Sequence, residues 1–91
     1  MEHILDRVVE RAAGFDDETR NALVHLAAQL LAAKRDLTLI RSHTDKSGVI
    51  FDLFRDRRTG KVYVTRRPAL TAPRQEALRA KLESILAQTG D

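Results

Sequence analysis

Cysteine is absent from the 91-residue chain, which removes disulfides, thiolate nucleophiles and every zinc site built on a thiolate. Long hydrophobic runs are missing too. The most apolar stretch, residues 22–33, is broken by His25 and Gln29 and falls short of the roughly 20 residues a bilayer span requires. The opening Met1-Glu2-His3 is acidic and lacks the positive and apolar segments of a secretory leader. A cytoplasmic protein without membrane attachment is the expectation. Nucleotide-binding glycine motifs, helical metal-ligand pairs and nucleophile elbows are also lacking. No cofactor, metal site or catalytic residue is therefore assigned. No repeat, low-complexity tract or Pro/Gly/Ser-rich linker divides the chain, so residues 1–91 read as a single domain.

Hydrophobic residues make up 43% of the sequence, enough for one core with little surplus. A chain this short buries only about 60–65% of the surface its unfolded state exposes. A homodimer that hides further apolar area is consistent with that shortfall.

The hydrophobic rhythm changes once. Residues 2–13 place Ile4, Leu5, Val8, Val9 and Ala12 at helical spacing, and Gly14 is expected to end that helix in the left-handed conformation. Residues 17–34 read as a second helix with Leu23, Leu26, Ala27, Leu30 and Leu31 as its buried stripe. Asp16, Asp17 and Glu18 suit its positive N-terminal end, which accounts for this acidic run better than a metal would. The short connection implies an antiparallel helical hairpin. Beyond Asp36 the pattern alternates. Residues 37–43, 49–55 and 61–65 are rich in β-branched and aromatic residues, with turn chemistry at 45–48 and 57–60. Gly60 is placed to supply a positive φ. A last helix over 72–88 begins with Thr71 as N-cap and Pro73 in its first turn, and Gly90 suits its end. Leu78, Leu82, Ile85 and Leu86 form its apolar face. The expected fold is α+β: an N-terminal helical hairpin, a three-stranded antiparallel β-meander and a C-terminal helix, in the order α-α-β-β-β-α.

Alternation sorts the strand residues onto two faces. Leu37, Leu39, Val49, Phe51, Leu53, Val62 and Val64 form a strongly apolar set, expected to be the main core face. The other set is mixed: Thr38, Ile40, Ser42, Ile50, Asp52, Phe54, Tyr63 and Thr65. Its Ile40, Ile50, Phe54 and Tyr63 need a cover, either a helix of the same chain or a partner surface. They are the candidate protein-interface residues.

Charge is unevenly distributed. Residues 1–36 hold five Lys/Arg against seven Asp/Glu, whereas residues 37–91 hold eleven against six. The densest cluster is Arg55, Arg57, Arg58, Lys61, Arg66 and Arg67, opposed only by Asp56. Such a cluster suits backbone phosphates or an acidic protein surface, and Tyr63 within it suits base stacking. A solvated, edge-protecting turn would also carry these charges. His25 is expected on the exposed side of the second helix. His43, near Ser42, Asp45 and Ser47, is the one histidine in a setting for acid–base work, with Arg41 or Arg55 steadying a phosphate.

The stretch from the second helix to the last resembles a double-stranded RNA-binding domain in element order. That family opens its final helix with Lys-Lys-x-Ala-Lys, where this chain reads Ala72-Pro73-Arg74-Gln75-Glu76-Ala77. Helical hairpin plus three-stranded sheet also resembles RelE-type ribonuclease toxins, which open with a strand where this chain reads as helix. Neither likeness carries a motif, so no family is assigned. The expectation is a small non-enzymatic binding or regulatory protein that meets a nucleic acid or nucleoprotein through the basic meander. The alternatives are a protein-interaction inhibitor or regulator of phage, plasmid or toxin–antitoxin type, acting through the second sheet face, and a small ribonuclease.

Overall fold

In the computed structural model, which describes residues 3–89, the first helix, α1 (Ile4–Ala12), starts at a histidine. The His3 Nδ1 accepts a hydrogen bond from the Leu5 amide at 3.0 Å, taking up one of the helix's unpaired N–H groups. The helix ends at Ala13, and Gly14 does not adopt the expected left-handed conformation. The Phe15 amide instead donates to the Ala12 carbonyl at 3.0 Å, closing the turn without a positive φ.

Helix α2 (Asp17–Ala33) is capped by Asp16, whose carboxylate accepts from the Thr19 amide at 3.3 Å. Its other end uses an unusual residue. Arg35 takes φ 65°, and two bonds close the motif: Asp36 N–H to Leu31 C=O at 2.9 Å and Arg35 N–H to Ala32 C=O at 3.0 Å. These are the two bonds of a Schellman cap, with arginine where glycine is usual. The chain thereby turns and delivers Leu37, 2% exposed, into the core.

Strands β1 (Leu37–Thr44), β2 (Ile50–Asp56) and β3 (Val62–Arg66) form an antiparallel sheet in the order β1-β2-β3, followed by helix α3 (Ala72–Thr89). The α+β order α-α-β-β-β-α is thus observed. Gly90, expected to end α3, and Glu2, expected in the first helix, lie outside the described residues. Both hairpin turns are organised by an aspartate. Asp45 accepts from the Ser47 and Val49 amides at 2.9 and 3.0 Å, and Asp56 from the Arg58 amide at 2.8 Å. Gly48 and Gly60 then take φ 88° and 78°, a region in which a side chain is strained.

The core lies mainly among the helices. Leu5, Val8 and Ala12 of α1, Leu23, Leu26 and Ala27 of α2, and Leu78, Leu82 and Ile85 of α3 are buried together. Helix α2 contacts both other helices and also β1 and β3. It is therefore buried on more than one side, and its expected single stripe was too narrow: Ala22, His25 and Ala28 are buried and Leu30 is exposed.

The two faces of the sheet are the reverse of the expectation. The helices cover the mixed set: Asp52, Phe54 and Thr65 are 2–3% exposed. Most of the apolar set lies outside, with Val62 48% and Val64 60% exposed, whereas Leu39 stands opposite Phe54 on the inner side and is still 49% exposed on the edge strand. Leu37 alone of that set is fully buried. A register shift between Leu39 and Arg41 explains part of this, because Ile40 is an extra residue in β1 and reverses the alternation beyond it. The rest follows from polar groups that satisfy one another beneath α2.

Candidate functional site

Residues directly opposed in an antiparallel pair project from the same face. Register therefore defines the open surface as three rows across the sheet. One row is Thr38, Arg55 and Val62, the next Arg41, Leu53 and Val64, and the last His43, Phe51 and Arg66. Phe51 and Leu53, on the central strand, are half-buried, and the other seven are exposed. With strands about 4.8 Å apart, the three rows make a platform about 10 Å across.

No carboxylate belongs to these three rows. Both acidic strand residues, Asp52 and Asp56, fall on the opposite parity and are buried. Arg41, Arg55 and Arg66 form no ion pair among the described residues. The platform thus has an apolar patch of Phe51 and Leu53 on the central strand with Val64 beside it, while Arg41 and Arg66 on the edge strands and Arg55 farther along the central one carry its positive charge.

The opposite face holds a buried polar cluster. Arg67 donates from Nε to one Asp52 oxygen at 3.0 Å and from a terminal nitrogen to the other at 2.7 Å, the two-pronged arrangement that strengthens such pairs. Ser42 Oγ donates to Asp52 at 2.5 Å. The Arg67 hydrogen bonds hold the Asp52 carboxyl below the usual carboxylate range, against the upward push of burial. His25 Nδ1 shares a hydrogen bond with Thr65 Oγ1 at 3.0 Å and lies 3.7 Å from Asp52. Burial pushes the His25 pKa down, so the ring is held in its neutral form; the Asp52 charge opposes this and the Arg67 charge reinforces it.

His25 was expected at the surface and is 2% exposed. Thr65 and Asp52 give its polar edge partners, which is what permits the burial. Although Ser42, His25 and Asp52 lie in one cluster, they do not form a nucleophilic relay. Ser42 bonds the carboxylate, not the imidazole, and His25 bonds Thr65. A relay needs the base on the nucleophile.

The arginine-rich sequence cluster divides between these environments. Arg55 and Arg66 stand on the open face. Arg57 and Arg58 are exposed in the second hairpin turn, where the Arg57 guanidinium reaches the Arg35 carbonyl at 3.5 Å. Lys61 pairs with Asp6 at 2.9 Å and lies 5.0 Å from the Tyr63 ring centre. Tyr63 donates its hydroxyl to Asp6 at 2.9 Å and packs against the core. Desolvation raises the Asp6 pKa, but the Lys61 and Tyr63 bonds outweigh it and leave the carboxyl below its ordinary value. Arg67 is committed to Asp52. Four of the seven candidate binding residues, Arg57, Lys61, Tyr63 and Arg67, thus make intramolecular contacts.

Of the candidate interface residues, Phe54 is 3% exposed and belongs to the core. Tyr63 is half-buried against α1, and Ile50 is half-buried at a groove. Ile40, the residue of the register shift, is exposed. The groove, about 640 Å³, runs beside Asp17, Glu18, Asn21, Ile50, Arg66 and Arg67. Its charges are of both signs, and it meets the open face at Arg66. Phe51, Leu53, Val62 and Val64 were not foreseen as site residues, and Arg41 was foreseen only as a partner of His43. For Arg55 the clue lay in the strand carboxylates: once Asp52 and Asp56 are placed inward, the odd position 55 of the same strand must point outward, whereas Arg41 faces outward only because Ile40 is an extra residue in β1. Among the described residues no three His, Asp or Glu side chains are grouped to hold a metal ion, and no helix is long and apolar enough to cross a membrane.

The chain matches no family model, no curated protein and no solved structure.

Proposed function

We propose that the open face of the sheet is a docking surface for nucleic acid and that the protein is a non-enzymatic binding module. The observation behind this reading is the segregation of charge across one sheet: arginines 41, 55 and 66 on the outer face and both strand aspartates on the inner one. Arginines that form no ion pair among the described residues keep their guanidinium groups available to phosphates, and neutralising phosphates releases counterions. Arg57 and Arg58 extend the positive surface beyond one end of the strands. His43, on the same face, stands among arginines but has no hydrogen-bonded base or acid partner among the described residues, which favours binding over cleavage.

Fluorescence anisotropy of labelled RNA and DNA oligonucleotides tests the reading, at low and at physiological salt. The expected result is binding that weakens as salt rises and is lost in an Arg41→Ala/Arg55→Ala/Arg66→Ala variant. No binding at low salt would end it.

A second reading rests on a different feature. Leu39 and Ile40 are 49% and 43% exposed on β1, whose outer edge is unpaired in the β1-β2-β3 order. An exposed apolar strand edge is a surface on which another chain, or a second copy of this one, can add a strand. Sedimentation of the purified protein, and a native pull-down with and without nuclease, separate this reading from the first. A monomer with nuclease-sensitive partners only would exclude it.

A further inference from the structure

The docking reading names a class of polymer but not its form, and the make-up of the face carries the argument further. We propose that this face takes a single strand of RNA, bases inward, and not a duplex. The inference rests on the docking reading above.

A duplex shows a protein its phosphates and the edges of its bases within the grooves. A major groove admits a helix or a two-stranded ribbon. Here the platform is three strands wide and backed by helices, so it meets a duplex only at the phosphates. Against phosphates its central residues would be a liability. Phe51, Leu53 and Val64, the last 60% exposed, would be pressed onto charged groups and would strip phosphates of water without offering a hydrogen bond in return.

A single strand reverses the fit. Unstacked bases have apolar faces, and a sheet bearing an aromatic side chain offers them a stacking surface. Phe51 occupies the middle of its row, between His43 on one strand and Arg66 on the other. Leu53 occupies the middle of the next, between Arg41 and Val64. Bases lying over Phe51 and Leu53 leave their phosphates over the edge strands, where Arg41 and Arg66 stand, and beyond Leu53 along β2, where Arg55 stands. The hydrogen-bonding side chains of the face other than its arginines, Thr38 and His43, both lie on β1. Each can donate or accept a hydrogen bond, which a ribose 2′-hydroxyl can answer and a deoxyribose cannot.

The test compares three probes of one sequence by anisotropy at low salt: a single-stranded RNA 12-mer, the same strand as DNA, and the RNA annealed to its complement. The expected order is single-stranded RNA tightest, with the duplex weaker by about tenfold or more. Phe51→Ala should weaken the single strand by about 5- to 150-fold, the range of one lost base stack, and leave the duplex unchanged. Because Phe51 is half-buried, Phe51→Leu serves as a second variant that keeps apolar bulk and removes the ring; circular dichroism checks the fold of both. The chain contains no tryptophan, so Phe51→Trp gives a single reporter whose fluorescence single-stranded RNA should quench. Equal or tighter duplex binding, or indifference of the single strand to loss of the Phe51 ring, would overturn the inference while leaving a basic docking face. DNA bound as tightly as RNA would overturn the assignment to RNA. Failure of all three probes to bind would remove the docking reading itself.

Discussion

The two faces of the sheet are built from the same three strands and have opposite physics. Beneath α2, Asp52 is 2% exposed and fully engaged by Arg67 and Ser42. On the outside, Val64 is 60% exposed and the arginines form no ion pair among the described residues. A face is therefore not buried in proportion to its apolar content. It is buried when something fits it, and a mixed face fits when its polar groups find each other.

The sharpest way to break the comparison is to make the same substitution on both faces. Phe54→Ala, in the core, should cost about 3–5 kcal/mol of stability, measured by urea or guanidinium unfolding. Phe51→Ala, three residues away on the same strand but on the open face and half-buried, should cost less, about 1–2 kcal/mol, since part of its surface stays in water in the folded chain. Equal losses would mean that something covers the outer face. Asp52→Ala comes next, at about 2 kcal/mol, from the loss of charge-assisted hydrogen bonds. The Arg67 side chain is 44% exposed and can turn into solvent, which keeps the figure below that of a deeply buried pair.

Element order was legible because it depends on local patterns. The change from helical spacing to alternation after Asp36, the aspartates of the turns and Gly48 and Gly60 all act within a few residues of one another. The choice of face was not, because it depends on partners distant in sequence: His25 meets Thr65 40 residues on, and Asp52 meets Arg67. Apolar content pointed to Leu39, Phe51, Leu53, Val62 and Val64 as the inner set, since a buried carboxylate looks prohibitive until its arginine is known. The extra residue Ile40 adds a change of parity that alternation alone cannot detect. Arg55 and Arg66 were recognised as site residues by charge alone. Arg41, Phe51 and Leu53 needed the register.

Acid should act on the inner face. Burial lowers the His25 pKa, so between that folded value and the ordinary value, about 6.5, the unfolded chain binds a proton that the folded chain refuses. The corresponding stability is fully present above about pH 6.5 and is lost as pH falls toward the folded value. Asp52, also lowered, adds a second loss of the same sign, beginning below about pH 4 and completed as pH falls through its own depressed value. Thermal unfolding between pH 8 and 5 should therefore show a falling midpoint, and His25→Gln should flatten it. A flat profile in the unaltered protein would mean that water reaches the imidazole.

The smallest effect on stability belongs to the outer arginines, and it is the most informative about function. Arg41→Ala, Arg55→Ala and Arg66→Ala should each change unfolding free energy by no more than about 0.5 kcal/mol, as exposed residues without partners do. Binding should respond differently. If each arginine neutralises one phosphate of a single strand, the triple variant should flatten the log–log salt dependence by about 2, at about 0.7 per phosphate. Net charge alone would also weaken binding, so the comparison needs a matched control. Lys34, Arg79 and Lys81 are exposed on the helical layer, and their replacement by alanine removes the same charge from the wrong face. An equal loss of affinity in both triple variants would reduce the site to a diffuse field. A loss confined to the sheet variant would make it a surface with a position, because screening at physiological salt confines each charge to about 8 Å.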